Sequence, residues 1–132
     1  MERVRLTNAI SKAGVGPRQT IAFIMDELKD IASRHNDEIV AHIMSRWISL
    51  RSQRACKVFA ELRPSRERIQ IFVLPPPREF GPKSIARRAP KSQGWGWFKT
   101  KFVVNGNNDA KRAIRLLRIS YIACLNLRNR TK

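Results

Sequence analysis

The 132-residue sequence is poor in acidic residues and cysteine, and it contains no long hydrophobic run. Ten Asp and Glu residues stand against 27 Lys and Arg residues, which gives a formal net charge of +17. No apolar run approaches the roughly 18 residues that a membrane-spanning helix needs. Charged side chains interrupt residues 1–16, which is not typical of a secretory signal peptide. We therefore expect no membrane partner and a cytoplasmic protein.

Metal-ligating and nucleophilic side chains are equally scarce. Cys56 and Cys124 are far apart and belong to no C-x-x-C motif, so we expect two free, buried thiols rather than a disulfide. His35 and His42 are the two histidines, and no spaced cluster of His, Cys, Asp and Glu surrounds them. The sequence predicts neither a metal site nor a cofactor.

No catalytic motif is present, whether a G-x-S-x-G elbow or a phosphate-binding G-x-x-x-x-G-K-[ST] loop. Acid–base catalysis needs titratable groups brought together, and acids are sparse in the middle of the chain. We expect Glu61 to form a cross-strand ion pair. We therefore assign no catalytic residue, although an enzyme remains open as a third class of function.

The length suits one domain, because domains cluster near about 100–150 residues. We divide the chain into a loosely held N-terminal arm (residues 1–19), one domain (20–125) and a basic tail (126–132). Apolar side chains at helical spacing predict helices over 20–34 and 109–124, the second capped by Asn108 or Asp109. The segment 38–44 fits a strand or a helix equally well.

Alternating and β-branched residues predict four strands, over 47–51, 56–63, 68–74 and 99–104. The links between the first three are short and polar, which implies antiparallel hairpins, and three prolines (75–77) end the third. A single helical turn is expected at 84–88. The predicted fold class is α+β, an antiparallel sheet of about four strands packed on one face by two main helices.

Four short stretches carry a family resemblance. They are VFAELRP at 58–64 followed by IQIFVL at 69–74, the Gly-Trp-Gly at 94–96, and AIRLLRISY at 113–121. They resemble a family of small α+β domains labelled "predicted transport protein" or "domain of unknown function", which is often attached to restriction-type nuclease domains. The resemblance spans about residues 20–122. It implies the fold and supplies no reaction.

The basic residues are concentrated in the second half of the chain. Residues 1–60 carry 10 basic and 6 acidic side chains, net +4, whereas residues 61–132 carry 17 and 4, net +13. A basic surface attracts polyanions. We predict a binding module for nucleic acid or another polyanion, non-specific and acting through Arg and Lys of residues 78–118. The predicted binding residues are Arg78, Lys83, Arg87, Arg88, Lys91, Lys99, Lys101, Arg112 and Arg115.

The alternative function is a small-ligand or partner-protein binding module without catalysis, in a cleft beside the Trp95 loop. Its predicted residues are Glu61, Arg63, Trp95 and Trp97.

On a helical wheel, Leu116, Ile119 and Ile122 fall away from the buried stripe of the last helix. Either a second copy of the chain, as a homodimer, or the N-terminal arm is expected to cover them.

Overall fold

The computed structural model describes residues 15–44, 46–81, 84–89, 97–105 and 107–130. The helices are α1 (Val15–Ser33) and α2 (Asn107–Arg130), and a 3₁₀ turn spans Pro77–Phe80. The strands are β1 (Ile39–Ile43), β2 (Ile48–Ser52), β3 (Lys57–Pro64), β4 (Ile69–Val73), β5 (Arg87–Arg88) and β6 (Thr100–Val104). They form one antiparallel sheet in the order β1-β2-β3-β4-β6-β5.

The core lies between the sheet and the two helices. Leu62 of β3, Ile71 of β4 and Phe102 of β6 lie in register across the sheet and are buried. Leu28 of α1 and Leu117 of α2 are buried as well. This arrangement confirms the predicted α+β class. Neither helix is long and apolar enough, within the described residues, to cross a bilayer.

The sheet has six strands where four were predicted. The additional strands are β1, which occupies the segment left open between helix and strand, and the two-residue β5. The helical turn predicted at 84–88 is wrong, because Arg87 and Arg88 pair with Lys101 and Thr100 of β6. This long-range pairing satisfies backbone groups that a local helical turn would otherwise have used.

Both helices extend beyond their predicted bounds. α1 begins at Val15, so residues 15–19 of the predicted arm are helical; Pro17 lies in the first turn, where proline is tolerated. α2 begins at Asn107, and Asp109 accepts a hydrogen bond from the Asn105 N–H at 2.9 Å. It continues to Arg130, through most of the predicted tail. Residues 1–14 lie outside the described residues.

Two expectations about apolar and thiol side chains need correction. Leu116 is only 5% exposed and belongs to the core, because α1 packs against α2 in addition to the sheet. It is not available for the homodimer predicted through Leu116, Ile119 and Ile122, of which the last two are partly buried; the homodimer stays a prediction. Both cysteines are free, but only Cys124 is buried, whereas Cys56 is exposed.

The carboxylate of Asp37 ties the layers together. It lies between α1 and β1 and accepts hydrogen bonds from the hydroxyls of Ser52 in β2 and Tyr121 in α2. The backbone N–H groups of Arg54 and Glu38 also donate to it, at 2.8 and 2.7 Å. Partial burial acts to raise the pKa of Asp37, but these four donors outweigh it and hold the pKa below its ordinary value of 3.8.

Replacing this carboxylate should destabilise the fold in a pH-dependent way. Asp37→Asn is expected to lower the free energy of unfolding by about 1–3 kcal/mol near neutral pH, the usual cost of losing hydrogen bonds to a charged group. Because the folded-state pKa is lowered, the contribution is present above pH 3.8 and is lost as the pH falls toward the folded pKa. Urea unfolding of both proteins across pH checks this, and a difference that persists undiminished below that range would contradict it.

Candidate functional site

A cationic cleft lies where the 3₁₀ turn, β5 and the start of β6 meet. Its volume is about 330 Å³. The lining residues are Pro76, Pro77, Arg78, Arg88, Ala89, Phe98 and Lys99. Three of these seven are cationic and none is acidic, and the remainder form an apolar floor. The three cations come from three separate chain segments, all within the range predicted to bind polyanions.

Hydrogen bonds between those segments hold the walls of the cleft. The Lys99 N–H donates to the Val73 carbonyl at 3.1 Å, which joins the cleft to the end of β4. The Ala89 N–H donates to the Lys99 carbonyl at 3.0 Å, and the Thr100 hydroxyl donates to the Pro75 carbonyl. Prolines have no N–H to continue the β4 ladder, so the chain leaves the sheet there and carries Arg78 into the cleft wall.

The cations of this region have no carboxylate partner. None of the ion pairs found among the described residues includes Arg78, Arg88 or Lys99, all of which are exposed. Arg87 stands directly opposite Lys101 in the β5–β6 pair. Like charges directly opposite each other destabilise a sheet. None of the residues that line the cleft supplies a carboxylate to offset this positive charge.

Arg112 and Arg115 lie away from the cationic cleft. The C-terminal end of α2 lies near Lys99, because Asn126 and Leu127 line a second cleft together with that lysine. Arg112 lies 14 residues before Asn126. At 1.5 Å per residue, Arg112 lies about 21 Å from that end of the helix. Arg112 and Arg115 are exposed near the other end of α2, so they do not join the cleft. Lys83 and Lys91 lie outside the described residues.

Glu61 and Arg63 pair with each other along one strand. Arg63 Nε lies 2.6 Å from Glu61 Oε2, and both side chains project from β3 on the same face because they are two residues apart. The expected cross-strand partner is therefore wrong. The Arg63 guanidinium carbon also lies 5.2 Å from the ring centroids of Trp47 and of Phe72, which fixes it further.

Trp97 lines the second cleft, of about 530 Å³, which adjoins the cationic one because the two share Pro76 and Lys99. Its other lining residues are Leu74, Pro75, Glu79, Ala123, Asn126 and Leu127. Glu61 and Arg63 do not line it. The Trp97 Nε1–H donates to the Val58 carbonyl at 2.9 Å, yet the residue remains 40% exposed. Trp95, predicted for the same pocket, lies outside the described residues.

Neither a metal-ligating cluster nor an activated Cys124 or Tyr121 side chain is present among the described residues. No group of three or more His, Cys, Asp and Glu among them is arranged to hold a metal ion. Burial raises the pKa of the Cys124 thiol to about 11, so it stays protonated and unreactive at neutral pH. Burial, followed by the hydrogen bond to Asp37, likewise raises the pKa of Tyr121.

Sequence reasoning missed the apolar floor of the cationic cleft. Pro76 and Pro77 were interpreted only as the end of a strand, and Ala89 drew no attention. The signal that was present is the arginine that follows the three prolines directly, which ties a rigid turn to a cation. Comparison of the chain with protein-family models, with curated proteins and with solved structures finds no match. The family resemblance therefore stays a prediction.

Relieving the charge crowding should stabilise the protein. Lys101→Gln removes the cation opposite Arg87, and we expect a gain of about 0.2–1 kcal/mol in unfolding free energy at low salt. Near 1 M salt the gain should vanish, because the screening length falls to about 3 Å. Arg118→Gln, an exposed site on α2, is the matched control and should change stability little. Thermal unfolding across a salt series measures both, and a destabilised Lys101→Gln protein would contradict the repulsion.

Proposed function

We propose that this chain is a cytoplasmic binding module for polyanions, principally nucleic acid, and that the cationic cleft is its binding site. The observation that carries the proposal is the convergence of Arg78, Arg88 and Lys99 on one cleft, where none of them forms an ion pair with a carboxylate of the described residues. Arginine forks suit bidentate contact with phosphate oxygens, and the lysine adds a point charge.

The mode of binding follows from what surrounds the cations. Apart from the three cations, the side chains that line the cleft have no donors or acceptors with which to distinguish base edges, and the sequence contains no motif that reads bases. Contact is therefore made with phosphates. Such binding is independent of sequence and weakens steeply with salt, because each neutralised phosphate releases counterions.

A second candidate function is the binding of a small ligand in the cleft beside Trp97. Its volume of about 530 Å³ lies within the usual range for ligand sites, and its lining mixes apolar residues with Glu79 and Asn126. Binding of a neutral ligand there would not depend on salt. A salt series therefore separates the two candidates.

Neutralising the cleft should weaken polyanion binding more than an equal loss of charge elsewhere. We expect the combined Arg78→Gln, Arg88→Gln and Lys99→Gln variant to bind a labelled oligonucleotide less tightly than wild type. The slope of log K against log salt should become shallower by about 2–3, since about 0.7–0.9 counterions are released per phosphate contact. Fluorescence anisotropy across salt concentrations measures both quantities.

The matched control removes the same charges from the far end of α2. Lys111→Gln, Arg112→Gln and Arg115→Gln also replace one lysine and two arginines at exposed positions. This control should keep a slope close to that of wild type. Equal losses in the two triple variants would show that binding follows net charge alone and would overturn the assignment of the cleft. Thermal unfolding of each variant verifies that it is folded.

A further inference from the structure

We infer that the nucleic acid held by this site is single-stranded, and that one of its bases stacks on Trp97 while the adjoining phosphates lie on the cationic cleft. This inference rests on the proposed function and names the form of the ligand. It follows from the way in which the two clefts adjoin. Lys99 and Pro76 line both, so a ligand that leaves the cationic cleft past Lys99 enters the cleft of Trp97.

The indole of Trp97 is both held and accessible. Its Nε1–H donates to the Val58 carbonyl at 2.9 Å, and Lys57 Nζ lies 5.7 Å from the ring centroid. The residue is nevertheless 40% exposed and lines the open cleft. A ring already fixed by a hydrogen bond loses little side-chain freedom when a base stacks on it.

The spacing of the two groups matches one nucleotide. Trp97 and Lys99 are two residues apart, so their Cα atoms are separated by at most about 7 Å. A phosphate bound by Lys99 therefore places a neighbouring base within reach of the indole. Aromatic rings interleaved with cations are the arrangement that single-strand sites use, because every base presents a π face.

A duplex does not fit this arrangement. Its bases are stacked and paired inside the helix, and only an unstacked base can lie flat against an aromatic ring. The cleft of Trp97, about 530 Å³, has room for one base rather than for a helix. A duplex would thus reach only the phosphate contacts, and its binding would not depend on Trp97.

The experiment compares three ligands on the full chain: a labelled oligothymidine, a duplex of equal length, and heparin, which has charge but no bases. Trp97→Ala should weaken oligothymidine binding by about 5- to 150-fold, the range reported for losing one stacked base. Duplex and heparin affinity should change less than about twofold. Trp97→Phe, which keeps a ring, should retain most of the oligothymidine affinity. Trp47→Phe is the control for tryptophan loss, because Trp47 packs over Arg63.

A second measurement keeps Trp97 in place. With Trp47→Phe and Trp95→Phe, Trp97 is the remaining tryptophan, and its fluorescence should be quenched by oligothymidine but not by heparin. An equal loss of heparin and oligothymidine affinity in Trp97→Ala, or no quenching, would overturn the stacking inference while leaving polyanion binding intact. Failure of the wild-type chain to bind any of the three ligands at low salt would instead overturn the proposed function itself.

Discussion

The carboxylate of Asp37 is the contact on which the arrangement of the layers depends. It joins the end of α1 and the start of β1 to the β2–β3 turn, and through Tyr121 it fixes α2 over the sheet. A carboxylate offers about four acceptor positions, and all four donors here occupy them. All acceptor positions of the Asp37 carboxylate are therefore used to hold the structure together, and none is left for a ligand or a reaction.

Ser120 connects α2 to the strand that leads into the cationic cleft. Its hydroxyl donates to the Phe59 carbonyl at 2.6 Å and accepts the Leu74 N–H at 3.0 Å. Leu74 is the last residue before the prolines that build the wall of the cationic cleft. Buried hydrogen bonds thus connect α2 and the sheet to the wall of the cleft, where the cations are exposed. The cations that line the cleft are Arg78, Arg88 and Lys99, whose positive charge a polyanion would neutralise.

Local patterns in the sequence predicted the parts of the fold that depend on local contacts. The apolar stripes of α1 and α2 were sufficient, because burial of one helix face imposes that period. The two-residue β5 has no such period, since its pairing with Lys101 and Thr100 is decided by a distant segment. The role of Asp37 had no local signal, because its partners Ser52 and Tyr121 are remote in sequence.

The candidate site was predictable in charge and not in shape. The seven predicted cations that lie within the described residues do not form one surface, although one clue was available. The connection between β6 and α2 is short, so the helix begins beside the far end of β6 and runs back toward Lys99. Arg112 and Arg115 therefore lie away from the cleft. The cleft itself joins prolines after β4, Ala89 after β5 and Phe98 before β6, a combination that only the folded sheet reveals.

The central claim, that polyanions bind at the cationic cleft, is tested most directly by nuclear magnetic resonance. The backbone amide signals of the full ¹⁵N-labelled chain would be followed as oligothymidine is added at low salt. The account predicts that the signals of Arg78, Arg88, Ala89 and Lys99 shift first and most, while those of Arg112 and Arg115 stay nearly unchanged. Shifts centred on the start of α2, with the amides of the cleft unmoved, would contradict it.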